Sequence, residues 1–151
     1  MWHRVFGRSA VNISPALLTE HLHALGLAVT PHFKGDDLGW TSGELHLATG
    51  SPVMLDRWLT ETDDLRDDLN GFAAELETFD YSPNAQPLME RVIQTSQMIT
   101  LRKPVDGPDE VTLEKVLLAC CQFLASHCDG IYQIDSVGWF SADGTMLVQE
   151  Y

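Results

Sequence analysis

Six histidines, three cysteines, a short acidic run and two Asp-x-x-Gly-Trp segments hold the side chains of this chain whose types and spacing could do chemistry. The histidines, His3, His21, His23, His32, His46 and His127, contain no pair at the i, i+4 spacing that places two imidazoles on one helix face for zinc. His21 and His23 point to different faces of a helix. His32 and His46 fall on neighbouring candidate strands, but no third ligand can be named beside them. Cys120, Cys121 and Cys128 share one predicted helix, and residues seven apart on a helix are separated by about 10 Å, beyond disulfide reach. They read as small core hydrophobes in a reducing compartment.

The acidic segment Glu61 to Asp68 carries five acidic residues around Arg66. It places Asp63 over Asp67 and Asp64 over Asp68 if it opens a helix, where the macrodipole offsets their repulsion. A solvated first turn is the plain reading, and a docking surface for a basic partner is the functional one. Trp40 and Trp139 each sit four residues after an aspartate, Asp36 and Asp135. Large aromatics beside such turns are usually core residues at the end of a sheet; otherwise they anchor a recognition surface. Trp58 and Tyr132 could extend that surface. The candidate binding residues are therefore Trp40, Trp139, Asp36, Asp135, Asp64, Asp67 and Asp68.

The chain has no phosphate-binding Gly-rich loop, no Gly-x-Ser-x-Gly elbow, no Cys-x-x-Cys and no GxGxxG. Catalysis thus lacks support in the spacing, and no cofactor or metal is expected. Nine Lys plus Arg against 22 Asp plus Glu give a net charge of −13, which repels phosphate backbones and anionic lipids. Nucleic-acid and membrane partners are disfavoured and a basic protein partner is compatible. No apolar run approaches the roughly 20 residues that span a bilayer, and the start of the chain lacks the pattern of a signal peptide. The expectation is a soluble, cytoplasmic, non-enzymatic binding or interaction module, one concrete form being a small acidic inhibitor or immunity-like protein. The alternative is a small hydrolase or metal-dependent enzyme using scattered His and Asp residues.

The elements that must position these groups follow from periodicity. With 151 residues, 44% hydrophobic and 21% charged, the chain reads as one globular domain. Residues 113–124 are so apolar that the helix they form must be buried around most of its circumference, with Thr112 as its N-cap and Asp129-Gly130 as its stop. A two-stranded hairpin then follows, with Ala142-Asp143-Gly144-Thr145 as a turn. Ser14-Pro15 opens an earlier helix that Gly26 closes, and strands are expected over 27–33, 40–48 and near 53–58. Helices are expected over 63–79 and 87–94, a strand over 98–103, and a surface loop over 105–110. The first pieces, Arg4-Val5-Phe6 and Val11-Asn12-Ile13, suit a first strand or an extended arm.

The predicted class is α+β, a two-layer sandwich with a mainly antiparallel or mixed sheet and the helices at 14–26, 63–79 and 112–128 packed chiefly on one face. Because Asp, two residues, Gly and Trp recur at the same architectural place, the first and last thirds are open to being read as duplicated β-α-β-β units.

Overall fold

The computed structural model describes residues 1–106 and 109–151; Gly107 and Pro108 of the expected 105–110 loop lie outside the described residues. Among the described residues the chain forms eight strands and four helices: β1 (Trp2–Gly7), α1 (Pro15–Ala24), β2 (Thr30–Asp36), β3 (Gly39–His46), β4 (Val53–Leu59), α2 (Arg66–Glu77), α3 (Ala85–Ile93), β5 (Gln97–Arg102), α4 (Glu110–His127), β6 (Gly130–Ile134), β7 (Gly138–Ser141) and β8 (Met146–Gln149). All strands join one sheet in the order β2-β3-β4-β5-β1-β6-β7-β8, and every pairing is antiparallel. The α+β class therefore stands as read.

Local chemistry sets several boundaries. The Ser14 side chain accepts from the Leu17 amide at 3.3 Å with Pro15 in the first turn, and Gly26 ends the helix at φ 79°. In α4 the cap is Asp109 rather than Thr112: its carboxylate accepts from the Thr112 amide at 3.2 Å and hydroxyl at 2.8 Å, so the helix begins earlier than its apolar run. At the other end Asp129, not Gly130, takes the left-handed turn, at φ 52°. Gly130 is needed for space, since a Cβ there would lie 2.8 Å from the Phe6 carbonyl oxygen. The expected terminal hairpin is a three-stranded meander, because Gly130–Ile134 pairs with Gly138–Ser141, which pairs in turn with Met146–Gln149.

β1 is the centre of the molecule, flanked by β5 and β6, with Val5 on one face of the sheet and Phe6 on the other. Strand alternation sends its neighbours the same way: Ile99 and Met98, Tyr132 and Ile131, Phe140 and Trp139 divide between two separate cores. One core gathers Val5, Leu55, Ile99 and Tyr132 beneath Leu18 and Leu22 of α1 and Leu113, Val116, Leu117, Cys120 and Leu124 of α4. The second gathers Phe6, Ile131, Trp139 and Val148 beneath Leu65 just before α2, Leu69 and Leu76 of α2, and Leu88 and Val92 of α3. Two of the three helices expected together, α1 and α4, do share a face. The third, α2, lies on the reverse with α3, because central strands that are apolar on both faces need cover on both.

The two thirds repeat as a succession but not in space. Both run strand, helix, three strands. The first meander enters at the sheet edge with β2 and walks inward to β4; the second enters beside β1 with β6 and walks outward to β8. Trp40 and Trp139 also belong to opposite cores. A two-fold axis between antiparallel neighbours preserves the face and the order of strands, so duplicated units around such an axis do not describe this sheet.

Candidate functional site

On the side that carries α2 and α3, the half of the sheet from β2 to β5 has a different surface. One continuous cross-strand row runs Lys34, Ser42, Asp56, Thr100, Arg4, Gln133. The neighbouring row runs His32, Glu44, Met54, Arg102, Trp2. These residues are intermediate or exposed except Gln133, and Trp58, two positions after Asp56 on the same face of β4, is 41% exposed. This is an open antiparallel sheet face of polar and aromatic side chains.

Where this face meets the start of α2 it forms a cleft of about 360 Å³, lined by Trp2, Arg4, Asp56, Trp58, Asp63, Leu65, Asp68, Phe72, Met98 and Thr100. Arg4 is already committed: its Nη1 donates to Asp135 Oδ1 at 2.5 Å and to Gln133 Oε1 at 2.9 Å, and its guanidinium lies 5.1 Å above the Phe72 ring. Asp63 is a turn acceptor, taking the Leu59 amide at 2.6 Å on Oδ2. Asp56 and Asp68 form no hydrogen bond or ion pair among the described residues. The cleft therefore combines two uncommitted carboxylates with the exposed Trp58 indole, whereas Arg4 already lies over the Phe72 ring and Arg102 over the Trp2 ring, at 5.9 Å. Carboxylates and aromatic faces both attract cations, the aromatic contribution being about 0.5–2 kcal/mol as water is excluded.

The residues singled out in the sequence are dispersed. Trp40 is buried on the α1 side and donates Nε1–H to the Ile13 carbonyl at 2.9 Å, with the Phe33 ring edge-on at 5.1 Å. Trp139 is 1% exposed, stacks on Phe6 at 5.2 Å, and leaves its Nε1 without a partner among the described residues. They share no surface, so recognition by Trp40 and Trp139 together is set aside in favour of core packing. Asp36 is exposed and accepts the Leu38 amide at 2.8 Å, closing the β2–β3 turn. Asp135 accepts from Arg4, from Gln133 Nε2 at 3.3 Å and from the Trp2 amide at 3.2 Å. Desolvation raises its pKa, but the Arg4 and Gln133 hydrogen bonds outweigh it and leave the carboxyl below its ordinary value.

The acidic run also divides. α2 begins only at Arg66, because Asp64 turns left-handed at φ 52° and Asp63 binds back to β4. Asp63 and Asp64 thus do not stack over Asp67 and Asp68 on a helix. Asp64 and Asp67 are exposed outside the cleft, whereas Asp68 enters its wall. His32 and His46 do meet, ring centres 4.9 Å apart and edge to face, with Glu44 Oε1 3.5 Å from His46 Nε2. Among the described residues no group of three or more His, Cys, Asp or Glu could hold a metal ion. The cysteines are free and buried; burial pushes the Cys120 and Cys128 thiols up to about 12 and Cys121 well above its ordinary value.

Asp56, Trp2 and Phe72 were not among the residues the sequence brought forward. The available signal was the alternation of residues 53–59, where Val53 and Leu55 face one side and Met54, Asp56 and Trp58 the other, the pattern of a strand with one wet face. Comparison with known protein families, with curated proteins and with solved structures finds no match for this chain.

Proposed function

We propose that this protein is a non-enzymatic binding module whose acidic and aromatic cleft receives a cationic side chain from a basic protein partner. The observation that carries the reading is the pairing of uncommitted Asp56 and Asp68 with the exposed Trp58 indole in one cleft. The net charge of −13 adds long-range attraction for the same class of partner. An acidic inhibitor of a basic effector, immunity-like in its logic, is the form of module that fits both features. A cytoplasmic setting accords with three unpaired, buried thiols. No helix among the described residues is long and apolar enough to cross a membrane, which agrees with docking to a protein rather than insertion into lipid.

The test uses short capped peptides, Gly-Lys-Gly and Gly-Arg-Gly, titrated against the full chain while indole fluorescence is followed. A saturable change that weakens with added salt is expected, together with loss of binding in Trp58→Leu and in the double change Asp56→Asn, Asp68→Asn. Asp67→Asn is expected to leave binding unchanged, because Asp67 is not in the cleft wall. A neutral Gly-Gln-Gly peptide that binds equally well, or affinity untouched by the Asp56 and Asp68 changes, would exclude the reading.

A further inference from the structure

A second cleft, sharing no lining residue with the first, opens where β4 leaves the sheet. Its inner wall is Arg57, only 5% exposed. The guanidinium donates Nε–H to Gln97 Oε1 at 2.7 Å, Nη1 to the carbonyls of Leu38 at 3.0 Å and Trp40 at 3.2 Å, and Nη2 to the carbonyl of Ala10 at 3.1 Å. Every one of these acceptors is neutral. No carboxylate lies within ion-pair distance of Arg57 among the described residues, although the chain has 22 acidic residues. Asp36 and Asp63 act on Arg57 only from beyond that distance, and a buried charge without a contacting counter-charge is costly, the dipoles of neutral carbonyls offsetting that only in part.

The cleft over Arg57 measures about 510 Å³, within the range of small-molecule sites. Arg66 lines it too; its Nη1 donates to the Ile93 carbonyl at 2.8 Å and it forms no ion pair among the described residues. The hydroxyls of Thr62 and Ser96 line the same space with no hydrogen bond among the described residues, and Leu38, Leu59 and Ile93 give it an apolar side. We propose that this cleft binds a small organic oxyanion, whose carboxylate or phosphate supplies the contacting counter-charge that Arg57 lacks. Arg66 and the one Nη2–H that Arg57 has left after its four bonds hold the anionic end, Thr62 and Ser96 donate to it, and the apolar side packs the ligand body. Glu61, in the same lining, favours a monoanionic carboxylate over a phosphate of higher charge.

Amide shifts of the full chain in heteronuclear NMR read this directly, with sodium acetate and inorganic phosphate as probes and sodium chloride at matched ionic strength as reference. Saturable shifts at residues 60–62 and 95–96 are expected with acetate and not with chloride. Arg57→Gln also strips the hydrogen bonds that Arg57 makes and so lowers stability, and the deciding variant is therefore Arg66→Gln, which removes an exposed cation and should weaken acetate binding on the order of tenfold with the melting temperature unchanged. Saturation by phosphate but not acetate keeps the oxyanion site and assigns the ligand to phosphate esters. Shifts with both probes that never saturate, shifts equal to those with chloride, or an affinity indifferent to Arg66→Gln would each overturn the proposal.

Discussion

Replacing Arg57 by Met tests whether one buried side chain holds the β1–α1 connection to the sheet. The change removes four donors and leaves Gln97 Oε1 and the carbonyls of Leu38, Trp40 and Ala10 without them. The bonds to Gln97 and Trp40 are buried and those to Leu38 and Ala10 part-buried, so water can reach the second pair. Taking about 1–2 kcal/mol for each buried acceptor left bare and about 0.5–1 for each part-buried one gives a loss of roughly 3–6 kcal/mol. Removing the desolvated charge returns on the order of 1–2 kcal/mol, leaving a net loss of about 1–5. A domain stabilised by roughly 5–15 kcal/mol then still folds, but unfolds at clearly lower urea. Gln97 belongs to the same unit, since its Nε2 donates to the carbonyls of Ser9 at 2.7 Å and Val11 at 2.8 Å. A cycle of Arg57→Met with Gln97→Leu should therefore show coupling of about 1 kcal/mol or more. Urea unfolding followed by indole fluorescence gives the energies, and limited proteolysis should find new cleavage within residues 8–13. A loss below about 1 kcal/mol, or additive single changes, would refute the reasoning that this clamp secures the connection.

Four further outcomes are expected. Gly71→Ala should stabilise by about 0.5–1 kcal/mol, because Gly71 is an exposed residue of α2 and a Cβ there meets nothing within 4 Å; an unchanged or lowered urea midpoint contradicts it. Leu117→Asp should prevent folding, since Leu117 is 0% exposed, whereas Phe123→Asp should be tolerated better because that ring is only partly buried beside His127; circular dichroism and solubility of the two variants settle the ranking. Burial lowers the His3 pKa below its ordinary 6.5, so the unfolded chain binds a proton that the folded one refuses: stability is complete above that value and declines as the pH falls below it. His3→Leu should flatten that part of the pH–stability curve, and an identical curve would remove His3 as its cause. The three thiols should label with a maleimide far more slowly in the native state than in denaturant, given pKa values raised by burial, and equal rates would contradict their burial.

What residues 1–151 determine by themselves is what short stretches can encode. Ser14 and Pro15 start a helix, Asp143-Gly144 turns a hairpin with Gly144 at φ 94°, and the helical spacing of Leu69, Phe72 and Leu76 holds in α2. Each signal acts over a few residues, through a cap, a left-handed turn or a repeating face. The α+β class follows from the succession of such pieces. Tertiary structure alone decided that Trp2–Gly7, six residues with a weak strand signal, occupies the middle of the sheet, because its partners are Gln97–Arg102 and Gly130–Ile134. It also decided that Trp40 and Trp139, matched in sequence, serve opposite cores, since the face a strand residue takes depends on which strands flank it and which helices cover them. The acidic cleft belongs to this second kind. Asp56 and Trp58 come from β4, Trp2 from β1, and Asp68 and Phe72 from α2, and no local rule brings those segments together, because strand order is chosen by burial summed over both faces of the whole sheet.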